Sequence, residues 1–342
     1  MIYISKAPLR IGLAGGGTDV SPYSDMFGGA ILNATINLFA SAAIIPRDDD
    51  TIIIHARDQK IRKEFKAEKE LELVDGLQLQ IGIYNRIVKD FLKEPRGFEL
   101  ITGIDSPTGS GLGTSSTLVV AILGAFAEWL RLPLGEYEIA QLAYSIERED
   151  LAMAGGKQDQ YAATFGGVNF MEFHKDNNVI INPLRVKDEI LQELEFHLLL
   201  FYTHISRKSS NIIEEQRENF TKQQADAVAA TDKLKEQAYM MKEALLKGDI
   251  ASIGKILDFG WQNKKQLAKG ITNPVIDEIY ETATAAGASG GKISGAGGGG
   301  YMIFYCPGST RFQVISALEE KGAMLQRYSF LEKGLTTWTS HQ

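Results

Sequence analysis

Apolar and polar positions alternate irregularly through the first hundred residues, in short runs that read as strands. IYISK and LRIGLA open the chain, AILNATIN, SAAIIP and TIIIHAR follow, and all are rich in Ile and Ala. Residues 27–46 carry no charge, but Asn33, Thr35, Asn37 and Ser41 interrupt the stretch, which fits two consecutive buried strands better than a membrane span. LQIGIYNRIVKDFLK changes the period: Ile81, Tyr84, Ile87, Val88 and Phe91 fall on one helical face. FELITGI is a further strand, and the almost wholly apolar LVVAILGAFAEWL predicts a buried helix running to about Arg131. EYEIAQLAYSIEREDLA predicts a second amphipathic helix, closed by the Gly155-Gly156 pair.

GGVNFMEF and VIINPL read as a hairpin, and EFHLLLFYT as a buried strand. A long charged helix is expected from about Ser209 to Lys247, then helices to about Ala286, then strand, helix and strand. The pattern divides between residues 185 and 195. We place the boundary so that residues 1–190 and 191–342 form two domains, a division that 342 residues can support.

Between the FELITGI strand and the apolar helix lies DSPTGSGLGTSST, residues 105–117. Gly109, Gly111 and Gly113 allow tight bends and close approach to a ligand. The hydroxyl residues after them suit a helix start, where free amides and the helix dipole either receive a cap or bind an anion. Two other glycine-rich segments, LAGGGTD (13–19) and GGKISGAGGGGYMIFY (290–305), invite the same question. Gly291-Lys292 is followed by Ile293 rather than Ser or Thr, which excludes a Walker loop. Residues 295–300 match G-x-G-x-x-G but run into a strand instead of opening a helix, which excludes a dinucleotide fingerprint.

Composition narrows the partners. A net charge of −7 and a pI near 5.4 provide no general attraction for nucleic acid or an anionic membrane, so an anionic substrate needs local cations. Cys306 is the single cysteine, which excludes an intrachain disulfide and a cysteine-rich zinc site and fits a reducing cytosol. The opening MIYISKAPLRIGLAGGG has no apolar segment of signal-peptide length, so the expected location is cytoplasmic. Glu147 falls mid-helix, where a solvated face is the ordinary outcome. Asp159 sits in the polar, irregular GGKQDQYAATFGG, and Arg10 inside an apolar strand needs a partner or an anion.

Taken in order, these features resemble the GHMP kinase superfamily: an APxR strand with a G-x-TD turn, P-x-x-x-G-L-x-T-S-S before an apolar helix, GGKQDQY, and a late GAGGGG before a strand. Within it APLRIGLAGGGTDVSPYSDMFGGAILNATI looks most similar to kinases of bacterial D-glycero-D-manno-heptose 7-phosphate, and fucokinase-type domains come second. The resemblance covers nearly the whole chain. It implies an α+β, two-domain fold: an N-terminal domain like ribosomal protein S5 domain 2, a ferredoxin-like C-terminal domain, and ATP between them. It implies ATP- and Mg²⁺-dependent phosphorylation of the anomeric hydroxyl of a heptose 7-phosphate, giving the 1,7-bisphosphate for nucleotide-activated heptose synthesis. The alternatives are a kinase for fucose or another free sugar, and a sugar-sensing protein that has lost catalysis. No nucleic-acid or membrane partner is implied, and a homodimer is left open.

Site roles follow from the same resemblance. The loop of Pro107, Thr108, Gly109, Ser110, Gly111, Leu112, Gly113, Thr114, Ser115 and Ser116 would wrap the ATP phosphates. Ser115 and Glu147 match the Mg²⁺ ligands. Asp159 matches the catalytic aspartate, and Arg10 the residue supporting it. Asp19 matches an acidic residue that binds sugar hydroxyls. Gly16 and Gly17 stand where galactokinases carry larger side chains, which argues against galactose. Ser294, Gly295 and Gly297 match a third loop closing near the phosphates. For the sugar's own phosphate, Arg207 and Lys208 in HISRKSSN are candidates at an expected helix start, with Lys157 and Lys292 as others. The histidines show no metal spacing.

Overall fold

A computed structural model describes residues 1–205, 209–222 and 224–341. The chain opens on β1 (Ile2–Ala14), a single strand where the sequence suggested two. After the short α1 (Tyr23–Phe27), β2 (Gly29–Pro46) is likewise one strand of 18 residues: Asn33 donates to Met171, and Thr35 and Asn37 bond the segment at 329–331. Its length lets it serve two neighbours. Ala40–Pro46 pairs with β5 (Phe98–Ile104), and Gly29–Ala34 with β6 (Val168–Phe173), which forms the expected hairpin with β7 (Val179–Pro183). Beyond β5 lie β3 (Thr51–Ala56), parallel to it, and β4 (Ile61–Lys66) at the edge.

α2 (Gln78–Phe91) and α3 (Thr114–Leu130) cover the sheet. α3 has residues buried on every side, as its nearly unbroken apolar sequence requires. α4 (Glu136–Ser145) departs from expectation. It does not run to the Gly155-Gly156 pair but widens into a π-helical turn at Ile146–Asp150, where the amide of Leu151 donates to the carbonyl of Ile146 five residues back. α5 (Gln158–Phe165) then leads into β6.

The second layer is an antiparallel sheet in the order β11 (Met324–Gln326), β8 (Leu198–Tyr202), β10 (Tyr301–Tyr305), β9 (Gly290–Ile293). β9 lies within the segment read from sequence as a glycine-rich loop. Around this sheet stand α6 (Asp188–His197), α7 (Ser209–Thr221), α8 (Ala225–Lys247), α9 (Ile253–Lys264), α10 (Pro274–Ala285) and α11 (Thr310–Glu320). The long charged helix is thus two helices, α7 and α8.

One core ties the layers together. Leu9, Ile11, Leu13 and Leu32 of the first sheet pack with Leu198, Leu200, Tyr301 and Ile303 of the second and with Leu245 and Leu257 of the helices. The C-terminus crosses a boundary at residue 190. β12 (Thr336–Ser340) returns to pair antiparallel with β1, from Ile2 opposite Ser340 to Lys6 opposite Thr336. Leu335, just before it, packs over α3 where Gly124 has no side chain: a Cβ there would lie 2.7 Å from Leu335 Cδ1. Deleting residues 335–342 should therefore destabilise the first domain by about 1–3 kcal/mol, measurable as a lower urea midpoint. An unchanged midpoint would mean that the returning strand contributes nothing to stability.

Candidate active site

The glycine-rich segments and the polar residues of the first sheet meet in a cleft of about 570 Å³ between the two layers. Arg10 comes from β1, which is irregular between Pro8 and Arg10 where register with β2 shifts. Its guanidinium, almost fully buried, donates from Nε and Nη2 to Asp159 Oδ1, both at 2.7 Å, and from Nη1 to the Gly111 carbonyl at 2.7 Å. Asp159, in the first turn of α5, is more open to the cleft, and its Oδ2 accepts no hydrogen bond from the described residues. A charged guanidinium thus fixes one carboxylate oxygen and leaves the other directed by it, the arrangement a positioned proton acceptor needs.

The loop at 105–113 reaches α3 with Gly113 in the left-handed region, and no side chain caps the helix. The uncapped helix start faces the cleft, where Thr108, Gly109, Gly111, Gly113, Thr114, Ser115 and Ser116 all line the wall. The other expected loop residues build the loop from behind. Leu112 lies in the core, and its carbonyl accepts from the Arg10 amide at 3.2 Å. Ser110 Oγ accepts from Ser106 at 3.0 Å, and Pro107 is exposed. The third glycine segment locks onto the first: Ser294 Oγ donates to the Gly111 carbonyl at 2.9 Å, and the Tyr301 amide to the Ser110 carbonyl at 2.9 Å. Gly295 and Ala296 reach the cleft, whereas Gly297 packs on Ile271.

Glu147 does not lie on a solvated face. The π-helical turn swings it inward, where it is 1% exposed and lines the cleft. Its Oε1 accepts from Ser116 Oγ at 3.0 Å and its Oε2 from Gln160, with Arg148 at 3.6 Å. The hydroxyl at Glu147 is therefore that of Ser116, while the expected Ser115 lines the cleft beside it. Burial raises the Glu147 carboxyl above its ordinary value, more than Arg148, Gln160 and Ser116 lower it. The folded chain thus holds this proton more tightly than the unfolded one, and stability falls as pH rises through the raised value. Glu147→Gln should melt higher than the parent at pH 8, with the gap narrowing as pH is lowered toward the carboxylate range. A gap independent of pH would show that the ionised carboxylate is not held at a cost.

Asp19 lines the cleft as expected, but its Oδ2 accepts the amides of Lys157 and Gln158 at 2.9 and 3.1 Å, at the start of α5. Only a residue without a side chain fits at 156, where a Cβ would lie 1.9 Å from that oxygen. Asp19 thereby also sets the position of Asp159. Gly16 and Gly17 form the adjoining wall. Lys157 is a correction. Its ammonium bonds Asp25 at 2.7 Å and Ser24 at 3.2 Å, behind α5, and it does not line the cleft. Arg207 and Lys208 lie outside the described residues, although Ser210 at the start of α7 does line the cleft.

Two further cations line the site. Lys292 donates to the Gly12 carbonyl at 2.8 Å, and Lys264, which the sequence reading did not single out, to the Gly295 carbonyl at 2.6 Å. A signal for Lys264 was present: Ile253, Ile256, Leu257, Gly260, Trp261 and Lys264 follow helical spacing and are all buried. Arg148 and Gln216 also line the cleft and were not anticipated. Among the described residues no group of three or more His, Cys, Asp or Glu could form a metal cage, and no helix is long and apolar enough to cross a membrane.

Comparison with known proteins agrees with this geometry. Residues 79–167 match the GHMP kinases N-terminal domain and 241–323 the GHMP kinases C-terminal model. The chain is 46% identical to a D-glycero-alpha-D-manno-heptose 7-phosphate kinase of Campylobacter jejuni, covering 98% of both. It superposes with TM-score 0.85 and 44% identity on a D-glycero-D-manno-heptose 1-phosphate kinase from Bacteroides thetaiotaomicron, covering 99% of this chain and 100% of that one. An L-fucokinase/L-fucose-1-P guanylyltransferase of Bacteroides fragilis is more distant, 27% identical over 97% of this chain and 37% of its own. The chain belongs to the GHMP kinase family, whose members take the transferred phosphate from ATP.

Proposed function

We propose that this protein transfers the γ-phosphoryl group of ATP to the anomeric hydroxyl of D-glycero-D-manno-heptose 7-phosphate, giving the 1,7-bisphosphate. The observation that carries the reading is the Arg10–Asp159 pair beside the uncapped start of α3. There a hydroxyl could lose its proton while amides hold the phosphates in line. Asp159 accepts or orients the hydroxyl proton through Oδ2. Arg10 holds that carboxylate in place and faces the charge that develops on the moving phosphoryl group. The amides from Gly109 to Ser116 hold the ATP phosphates, and the closed third loop keeps water from competing with the sugar.

Mg²⁺ fits the donors present. Glu147, Ser115 and Ser116 offer hard oxygens on the cleft wall, and a few protein oxygens beside phosphates and water are what Mg²⁺ requires. When bound, the ion neutralises polyphosphate charge. We place the enzyme in the cytoplasm, where ATP is supplied and the single cysteine meets a reducing medium. Identity of 46% along the full chain favours a heptose phosphate over fucose, whose kinase relative stands at 27%. The intact Asp159, Arg10 and Glu147 favour catalysis over sensing.

The names of the two heptose relatives differ in which phosphate they mention, so the test is a panel. Initial rates should be measured with heptose 7-phosphate, heptose 1-phosphate, the free heptose and fucose. The 7-phosphate should show the highest kcat/KM, and a higher value for the 1-phosphate or for fucose would replace this substrate.

A further inference from the structure

We propose that Lys264, backed by Lys292, receives the phosphate that the sugar substrate already carries. The proposal rests on reading the enzyme as a sugar-phosphate kinase and names the group that makes it one.

Both lysines are 4% exposed, yet both line the cleft. Among the described residues each ammonium has one acceptor, a backbone carbonyl, and neither forms an ion pair. An ammonium has three donors, so each retains N–H groups that a ligand in the cleft could use. The nearby carboxylates each have one oxygen engaged. Asp159 holds Arg10, and Asp19 accepts two amides, although its charge still favours the Lys264 cation. Burial, with Arg10 adding to it, pushes Lys264 down to about 8. Burial, with Lys264 and Arg10 adding to it, pushes Lys292 well below the lysine range. An anion among these groups would offset the burial and mutual repulsion that disfavour their charged forms.

Its position selects the acceptor's anion over that of ATP. The nucleotide phosphates have their own site at the uncapped start of α3. Lys264 Nζ lies 3.6 Å from where a Cβ on Gly16 would lie, next to the turn that carries Asp19.

Lys264→Met keeps the buried stem and removes the charge. The variant should raise KM for heptose 7-phosphate by at least about tenfold, the scale of a lost hydrogen bond to a charged group. The KM for ATP and the weak activity on free heptose should stay within about twofold. Its melting temperature should hold or rise, because an unpaired buried cation has gone. A melting temperature that falls, with a higher KM for ATP, would mean that Lys264 only braces the Gly295 loop and would overturn the proposal. An equal loss of kcat on both sugars would overturn it too, by placing Lys264 in phosphoryl transfer.

Inorganic phosphate probes the site without the rest of the sugar. In the parent it should compete with heptose 7-phosphate and not with ATP, and calorimetry should show its binding lost in Lys264→Met. Competition with ATP alone would overturn the proposal. If the parent prefers free heptose yet binds inorganic phosphate through Lys264, the heptose-phosphate reading fails while the anion site stands.

Discussion

Asp159→Asn should lower kcat by roughly 10²–10⁴-fold while leaving the KM for ATP and the melting temperature close to those of the parent. Asparagine keeps an oxygen where Arg10 donates its two hydrogen bonds at 2.7 Å, so the loop and β1 stay in place. What it loses is the basic oxygen facing the cleft. The change therefore separates proton transfer from architecture, which a larger replacement would not. Steady-state kinetics with saturating sugar and ATP reads the effect directly. A variant that retains more than about a tenth of parental kcat would remove Asp159 from proton transfer and leave Arg10 as an electrostatic group alone.

Gly111→Ala should be nearly as damaging, for a different reason. Gly111 has φ +83°, which an alanine adopts at a cost, and a Cβ there would lie 2.4 Å from the Ser294 carbonyl oxygen. That contact is with backbone and cannot be relieved by a rotamer change. Relief requires the first and third glycine loops to part. The Gly111 carbonyl accepts from both Arg10 and Ser294, so their separation releases the guanidinium that fixes Asp159 and opens the phosphate loop together. We expect a loss of about 1–3 kcal/mol in stability, with kcat down at least about a hundredfold and the KM for ATP raised. Normal ATP affinity in a folded Gly111→Ala protein would show that the two loops act separately.

Local patterns made most elements legible. The apolar run before Arg131 is α3, the Ile-rich runs are strands, and the hairpin and the buried LLLFY strand are where alternation put them. The failures share a cause: sequence reports local propensity, whereas long-range pairing decides continuity. Polar Asn33 and Thr35 looked like breaks in β2, but Met171 and the Leu331 carbonyl, both distant in sequence, take their side-chain hydrogen bonds within one strand. The return of Thr336–Ser340 to β1 has no local signature, since any short Thr-rich segment can become an edge strand. The burial of Glu147 was not legible from periodicity alone, because a π-helical turn shifts side chains off the 3.6-residue period on which helical faces are read.

The site divides along the same line. Arg10 and the 105–117 loop were visible because charge in an apolar strand and glycine before a buried helix are locally anomalous, whereas Asp159 stood in a polar, irregular segment and Asp19 came only with the resemblance to GHMP kinases. Lys264 sits in a KK pair at a helix end, which reads as solvated unless the buried stripe of α9 is followed through to it. Lys157 failed for the opposite reason. It was a candidate only as a cation for the sugar's phosphate, but just before α5 it turns to Asp25, away from the cleft.

The central claim concerns which oxygen receives the phosphate, and product analysis by ³¹P NMR tests it most directly. The parent protein would be incubated with ATP, Mg²⁺ and D-glycero-D-manno-heptose 7-phosphate until ADP release is complete. The account predicts one ADP per sugar and a single new phosphate signal coupled to the anomeric proton, with the 7-phosphate signal retained. ADP release without that signal, or a new phosphate coupled to any other ring proton, would contradict it.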